Sequence, residues 1–152
     1  MSEKDTEKQL PDWITDHIQL YRENPEKGHL WDSTAAGGPG LLPTLLLHTK
    51  GRKSGRTSVV PLIYKKAGQG FVVIASKGGA PNHPAWYLNL MADSDCKIQV
   101  LNDHYRVTAR TAGEEERESL WLQLVEIYPP YNDYQNSTDR KIPVVVLDPV
   151  LE

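Results

Sequence analysis

Thr44-Leu45-Leu46-Leu47, then Lys50-Gly51-Arg52-Lys53-Ser54-Gly55-Arg56, then Val59-Val60-Pro61-Leu62-Ile63: two apolar runs are joined by one short cationic turn. Runs of this length, β-branched in the second case, read as strands, and the glycine-bearing turn between them makes them a hairpin. Pro61 places the second strand at an edge or a bulge, because proline cannot donate to a sheet ladder. The turn packs four cations, two glycines and a hydroxyl together. Like charges this close repel one another unless an anion sits among them. Glycine permits positive φ and close approach of a ligand to the backbone. The turn reads as a receptor for phosphate or carboxylate on a small molecule; a solvated basic hairpin tip is the plainer alternative.

Working outward, the rest of the chain is rich in strands. Phe71–Ser76 follows the turn Ala67-Gly68-Gln69-Gly70. Cys96–Leu101 and His104–Arg110 alternate, with Cys96, Ile98 and Val100 on one face and Tyr105, Val107 and Ala109 likewise. Asn102-Asp103 between them is the expected two-residue turn. The first hairpin is expected over Leu45–Thr49 and Thr57–Lys65, and a last strand over Ile142–Leu147. Three helices are expected. The first covers Asp12–Asn24, with Asp12 as its cap, Trp13, Ile14, His17, Ile18 and Tyr21 as its apolar stripe, and Pro25 as its stop. The second covers Pro84–Ala92 with proline at its first position. The third covers Gly113–Tyr128, with Thr111 and Glu114 as a capping box, Leu120, Trp121, Leu124, Val125 and Tyr128 buried, and Pro129-Pro130 as its stop. Residues 29–43 read as a loop and residues 1–10 as a disordered terminus. About six strands in mainly hairpin connection, with a few helices, predict a mainly antiparallel small barrel with helical decoration.

At 152 residues the chain suits a single domain, covering residues 11–152 after the polar terminus. One cysteine precludes an internal disulfide, and Cys96 at an inward strand position reads as a small hydrophobe. No apolar run approaches the ~20 residues of a spanning helix, and the charged N-terminus lacks a leader pattern. A cytoplasmic protein is expected, with peripheral membrane contact through the first helix left open. The net charge of −3 argues against a nucleic-acid binder, since the cations are concentrated in one turn of an acidic chain. No GxGxxG follows a strand, and Gly51-Arg52-Lys53-Ser54 lacks the glycine before lysine and the helix that a P-loop requires. The five histidines have no metal-ligand spacing, so no metal is expected.

Two further stretches carry chemistry. In Ala75-Ser76-Lys77-Gly78-Gly79 a buried strand opens into a glycine turn whose N–H groups, hydroxyl and ammonium can address the polar edge of a planar ligand; an ordinary strand-ending turn is the alternative. In Tyr128-Pro129-Pro130-Tyr131-Asn132-Asp133-Tyr134, phenols three residues apart share one face of a short helix and suit a flat apolar substrate needing a hydrogen bond. An aromatic core patch is the alternative.

With Asn82-His83-Pro84-Ala85-Trp86-Tyr87-Leu88-Asn89 and Asp139-Arg140-Lys141-Ile142-Pro143, these make five motifs in one order, over roughly residues 41–149. In that order the chain resembles the deazaflavin-dependent nitroreductases of actinobacteria. The resemblance implies an FMN-binding-like split β-barrel that binds coenzyme F420, whose tail carries a phosphodiester and several glutamates. It implies that Arg52, Lys53, Ser54 and Arg56 hold the phosphate. Pro61, Ala75, Ser76, Lys77 and Gly78 would line the deazaflavin, and Ala85, Trp86, Tyr87 and Asn89 would shape the pocket from a helix. Tyr128, Tyr131, Tyr134 and Ser76 would face the acceptor. The reaction implied is hydride transfer from C5 of the reduced deazaflavin to a quinone such as menaquinone, or to a nitro compound, with Tyr131 or Tyr134 hydrogen-bonded to the acceptor oxygen. An FMN-dependent oxidoreductase on a similar barrel and a non-catalytic polyanion-binding barrel are the alternatives.

Overall fold

The computed structural model describes residues 11–150. The hairpin is present, but β2 (Leu41–Lys50) is longer than expected and β3 (Thr57–Ile63) stops short of the expected Lys65; the register runs from Thr44 opposite Ile63 to Lys50 opposite Thr57. β3 pairs only with β2, so Pro61, opposite Leu46, does sit on an edge strand. The region read as a loop contributes a short strand β1 (Leu30–Asp32) against Leu41–Pro43, and a single 3₁₀ turn at Thr34–Ala36. Beyond β3 lie β4 (Lys65–Ala67), β5 (Gly70–Ile74), β6 (Asp95–Val100), β7 (Asp103–Thr111) and β8 (Val144–Pro149). The antiparallel order is β1-β2-β6-β7-β8-β5-β4, with β3 on β2. The eight strands include the expected set plus the three-residue β1 and β4. Tyr64 separates β4 from β3, dividing what reads in sequence as one strand.

Alternation curls this sheet around a core. Leu45 and Leu47, Phe71 and Val73, Ile98 and Val100, Val107 and Ala109, Val145 and Leu147 fill the interior together with Trp86, Tyr87 and Leu90. Cys96 lies in the same core, and burial pushes its thiol up to about 12. The opposite face of β5 and β8, through Val72, Ile74, Val144 and Val146, packs on Leu120, Trp121 and Leu124 of α4 (Glu114–Ile127). β5 is buried on both faces, which explains its unbroken apolar run.

The helices are α1 (Asp12–Glu23), α2 (Pro25–His29), α3 (Ala85–Ala92), α4 and α5 (Pro130–Asn136). Several termini differ from expectation. Pro11, with extended ψ, is the cap of α1, so Asp12 is its first residue and its carboxylate faces the positive end of the helix. Pro25 ends α1 and also opens α2, because proline needs no N–H at a first position. Pro84 is likewise the cap of α3 rather than its first residue. The capping box fails: Gly113 caps α4, while the Thr111 hydroxyl is taken by the Tyr87 phenol at 2.9 Å. The turn between β6 and β7 is Leu101-Asn102, since Val100 pairs with Asp103. Leu101 adopts φ 55° there, held by its N–H donating to the Tyr21 Oη (2.9 Å) and its carbonyl accepting from Gln99 (2.9 Å).

Tyr21 explains how α1 is fixed. Its ring is fully buried with Ile18, Leu46 and Val59. Its Oη also donates to the Thr44 carbonyl at 2.9 Å, and burial pushes the phenol up to about 12. Tyr21→Phe strands the Leu101 N–H and is expected to cost about 2 kcal/mol of stability, read as a lower urea midpoint. A loss under about 0.5 kcal/mol would mean that water replaces the hydroxyl.

Candidate functional site

The basic turn between β2 and β3 is tied to itself. The Gly51 N–H donates to the Arg56 carbonyl (2.7 Å), the Gly55 N–H to the Gly51 carbonyl (2.8 Å), and the Arg56 N–H to Ser54 Oγ (3.1 Å). Gly55 has φ 74°, and a Cβ on Gly51 would stand 2.7 Å from Ser54 Oγ, so both glycines are required by geometry. Arg52 is anchored further: its N–H and Nη1 both donate to Asn89 Oδ1, at 3.2 and 2.9 Å. Asn89 is buried on α3 and its Nδ2 donates to Thr49 Oγ1 at 3.1 Å. Asn89 thus joins the end of β2, the turn and α3. Among the described residues no ion pair involves Lys50, Arg52, Lys53 or Arg56.

The second loop, after β5, is an unusual left-handed turn. Lys77, Gly78 and Gly79 have successive φ values of 46°, 62° and 83°. A non-glycine residue there costs energy and is held by its surroundings. Arg140 supplies the holding groups: Nε donates to the Ala80 carbonyl (2.8 Å), Nη2 to Ser76 (2.7 Å) and Nη1 to Ala75 (3.2 Å). Nη1 also lies 3.1 Å from His83 Nδ1. On the other side the turn abuts α5, where Ser137 Oγ donates to the Gly79 carbonyl (3.2 Å).

These two loops meet. Arg52 and Lys77 line an open groove of about 540 Å³ together with Pro81, Asn82, His83, Ala85, Leu88 and Arg140. Among the described residues three cations and no carboxylate stand in its walls, so it suits an anion-bearing ligand. Lys53, Ser54 and Arg56 are exposed on the turn beside Arg52, outside those walls. On α3, Ala85 faces the groove and Asn89 supports Arg52, whereas Trp86 and Tyr87 point into the barrel core. Pro61 is half-buried on β3 and is not a groove wall.

The three tyrosines cluster behind the left-handed turn. Tyr128 and Tyr134 share a hydrogen bond of 2.7 Å between their hydroxyls, and Tyr131 packs edge-on to both rings. Tyr131 is only 4% exposed and Tyr128 3%, within the core that includes Trp121 and Ile142. Tyr134, half-buried, is the most accessible. Burial raises the Tyr131 phenol, and burial with the Tyr134 bond raises that of Tyr128, so both are neutral hydroxyls near neutrality. Pro81, Asn82, His83, Leu88 and Arg140 are groove residues that no expectation from the sequence names as site residues. All but Pro81 fall within the ordered motifs Asn82–Asn89 and Asp139–Pro143, whose chemistry shows only once the fold brings them beside Lys77.

This is an antiparallel split barrel with an anion-receptive groove between two glycine loops. The sequence model of the F420H(2)-dependent quinone reductase family matches residues 15–149, and the chain belongs to that family. It is 40% identical over 112 residues to an F420H(2)-dependent quinone reductase of Mycobacterium tuberculosis, covering 72% of this chain and 75% of that protein. Among solved structures, an F420-H2 dependent reductase (FDR-A) superposes with TM-score 0.65 at 42% identity, covering 70% of this chain and 94% of the other. Another, described as a domain-swapped dimer, has TM-score 0.66 at 38% identity, covering 88% and 98%. The deazaflavin dependence and the barrel expected from the five motifs are borne out.

Proposed function

We propose that this protein transfers a hydride from reduced coenzyme F420 to a quinone. The observation that carries the reading is the convergence of Arg52, Lys77 and Arg140 on one groove, in a chain of the F420H(2)-dependent quinone reductase family. The residues fit such a cofactor. The cations of the turn, which make no ion pair among the described residues, suit the phosphodiester and glutamates of its tail. At Gly78 a Cβ would meet nothing within 4 Å, so the turn presents open backbone that a flat ring can approach.

When bound, the reduced deazaflavin supplies a hydride from C5. The protein binds, orients and excludes water. Arg52, Lys53, Ser54 and Arg56 would hold the phosphate, with Asn89 keeping Arg52 in place. Ala75, Ser76, Lys77 and Gly78 would line the ring, with Pro61 beside it and Ala85 at the groove wall. The acceptor would lie against Tyr134, backed by Tyr128 and Tyr131. A quinone reduced to hydroquinone takes up a hydride and one further proton, and that proton comes from solvent through the open groove. Tyr134 stabilises the developing oxyanion by hydrogen bonding rather than by full proton transfer, as a phenol is a weak acid near neutrality. Nitro compounds enter as adventitious acceptors, since a nitro group is also flat and polarised. Among the described residues no helix is long and apolar enough to cross a membrane. Exposed Trp13 and Leu20 on α1 would let the protein meet a bilayer carrying its quinone.

Titration with oxidised and reduced F420, FMN and NADPH, followed by a screen of quinones and nitroaromatics, tests the reading. Tight binding of FMN without F420 would overturn it. Tyr134→Phe is expected to lower kcat/KM for menaquinone about tenfold while leaving the F420 Kd within about twofold, because one transition-state hydrogen bond is removed. Unchanged turnover would reduce the tyrosine cluster to packing.

A further inference from the structure

Arg140 and His83 form a pair that the roles above leave unused. A guanidinium donates and never accepts. With Arg140 Nη1 at 3.1 Å from His83 Nδ1, that nitrogen must therefore carry the lone pair, and the neutral ring bears its proton on Nε2. Nε2 has no hydrogen-bond partner among the described residues, and it is not sealed: the only buried, unpartnered side-chain polar atom there is Nδ1 of His48. His83 is a wall of the groove that also holds Arg52, Lys77 and Arg140. Burial and the neighbouring Arg140 charge both lower the basicity of His83, in keeping with a neutral ring. Arg140 is committed to three carbonyls of the left-handed turn and so is fixed in place. The imidazole is fixed in turn, its ring centroid 4.9 Å from that of Tyr87.

We propose that His83 is a further binding residue of the groove, donating through Nε2–H to an anionic oxygen of the cofactor tail, and that Arg140 is the positioning residue that sets this tautomer. The proposal rests on the F420 reading of the same groove. Its chemistry is specific: a fixed neutral donor binds an anionic oxygen and does not exchange its proton with it, unlike a protonated imidazole. Phosphate and glutamate carboxylate share this chemistry. F420 bearing one glutamate and F420 bearing several distinguish them, since a phosphate contact responds equally in both.

The test combines a ligand-free and a ligand-bound measurement. Nitrogen-15 NMR of the free protein should show His83 as the Nε2–H tautomer, and Arg140→Lys should turn it into a mixture with the turn still folded by circular dichroism. Isothermal titration with oxidised F420 should show His83→Ala binding about tenfold more weakly. His83→Gln, whose amide N–H replaces Nε2–H, should bind within about threefold of wild type. The tailless deazaflavin alcohol, lacking phosphate and glutamates, should bind wild type and His83→Ala alike. An Nδ1–H tautomer in the free protein, or wild-type F420 affinity in His83→Ala, overturns the proposal. If no form of the protein binds F420, the reading of the site itself fails, while the NMR result still decides the Arg140–His83 assignment.

Discussion

Arg52→Ala, Lys53→Ala and Arg56→Ala combined are expected to weaken F420 binding about a hundredfold and to flatten its dependence on salt. Each charge-assisted hydrogen bond contributes ~1.5–3 kcal/mol when shielded. The turn is exposed in the free protein, which reduces each contact to about 1 kcal/mol, and three such contacts come to roughly two decades of affinity. Lys97→Ala with Arg106→Ala, which removes two exposed cations on the paired strands β6 and β7, should change affinity less than threefold. Asn89→Ala should reproduce part of the loss without removing a charge, because it releases the Arg52 N–H and Nη1 together. Equal salt slopes for wild type and triple variant would place the tail elsewhere.

The same architecture explains why the chain shows no acid–base dyad or activated nucleophile. Its tasks are to hold an anionic tail, present a flat backbone surface and set phenols beside the acceptor. Each task falls to a separate loop, and a buried amide and a half-buried guanidinium join the loops. Asn89 links the basic turn to α3, and Arg140 links the left-handed turn to the approach to β8. Neither would be found by searching for reactive side chains, since both act by hydrogen bonding to backbone or to another side chain.

Much of this was legible in the sequence, and the reason differs by element. The β2–β3 hairpin and the β6–β7 pair are visible because alternation and apolar runs are local signals. The tertiary exceptions are invisible for the same reason. Leu101 takes the positive φ that Asn102 or Asp103 would favour, because Tyr21 lies eighty residues earlier and bonds its N–H. Thr111 leaves its capping role for Tyr87. In the site, charge density exposed the basic turn and three-residue spacing exposed the tyrosines, while the resemblance supplied what each would bind. Spacing put Tyr131 and Tyr134 on one face of α5 but could not tell that Tyr131 is buried in the core while Tyr134 stays half-exposed. Nor could it show that Trp86 and Tyr87 face the barrel while Ala85 faces the groove.

Gly79→Ala is expected to lower stability by roughly 3 kcal/mol, whereas Gly78→Ala, one residue away at similar φ, costs only about 1 kcal/mol. The two differ in what a methyl would meet. At Gly78 nothing lies within 4 Å. At Gly79 it would stand 2.1 Å from Ser137 Oγ and 2.8 Å from the Tyr134 carbonyl. The serine could rotate away, but the Tyr134 backbone cannot yield without moving α5. The left-handed turn would then separate from the helix that carries Tyr131 and Tyr134, so the cofactor surface and the acceptor wall would part together. With a urea m-value of about 2 kcal/mol/M, the midpoint should fall by about 1.5 M for Gly79→Ala and 0.5 M for Gly78→Ala. Quinone turnover should fall with the former even at temperatures where the variant is fully folded. Equal midpoints would show that left-handed strain alone sets the cost, and that the turn is not clamped to α5.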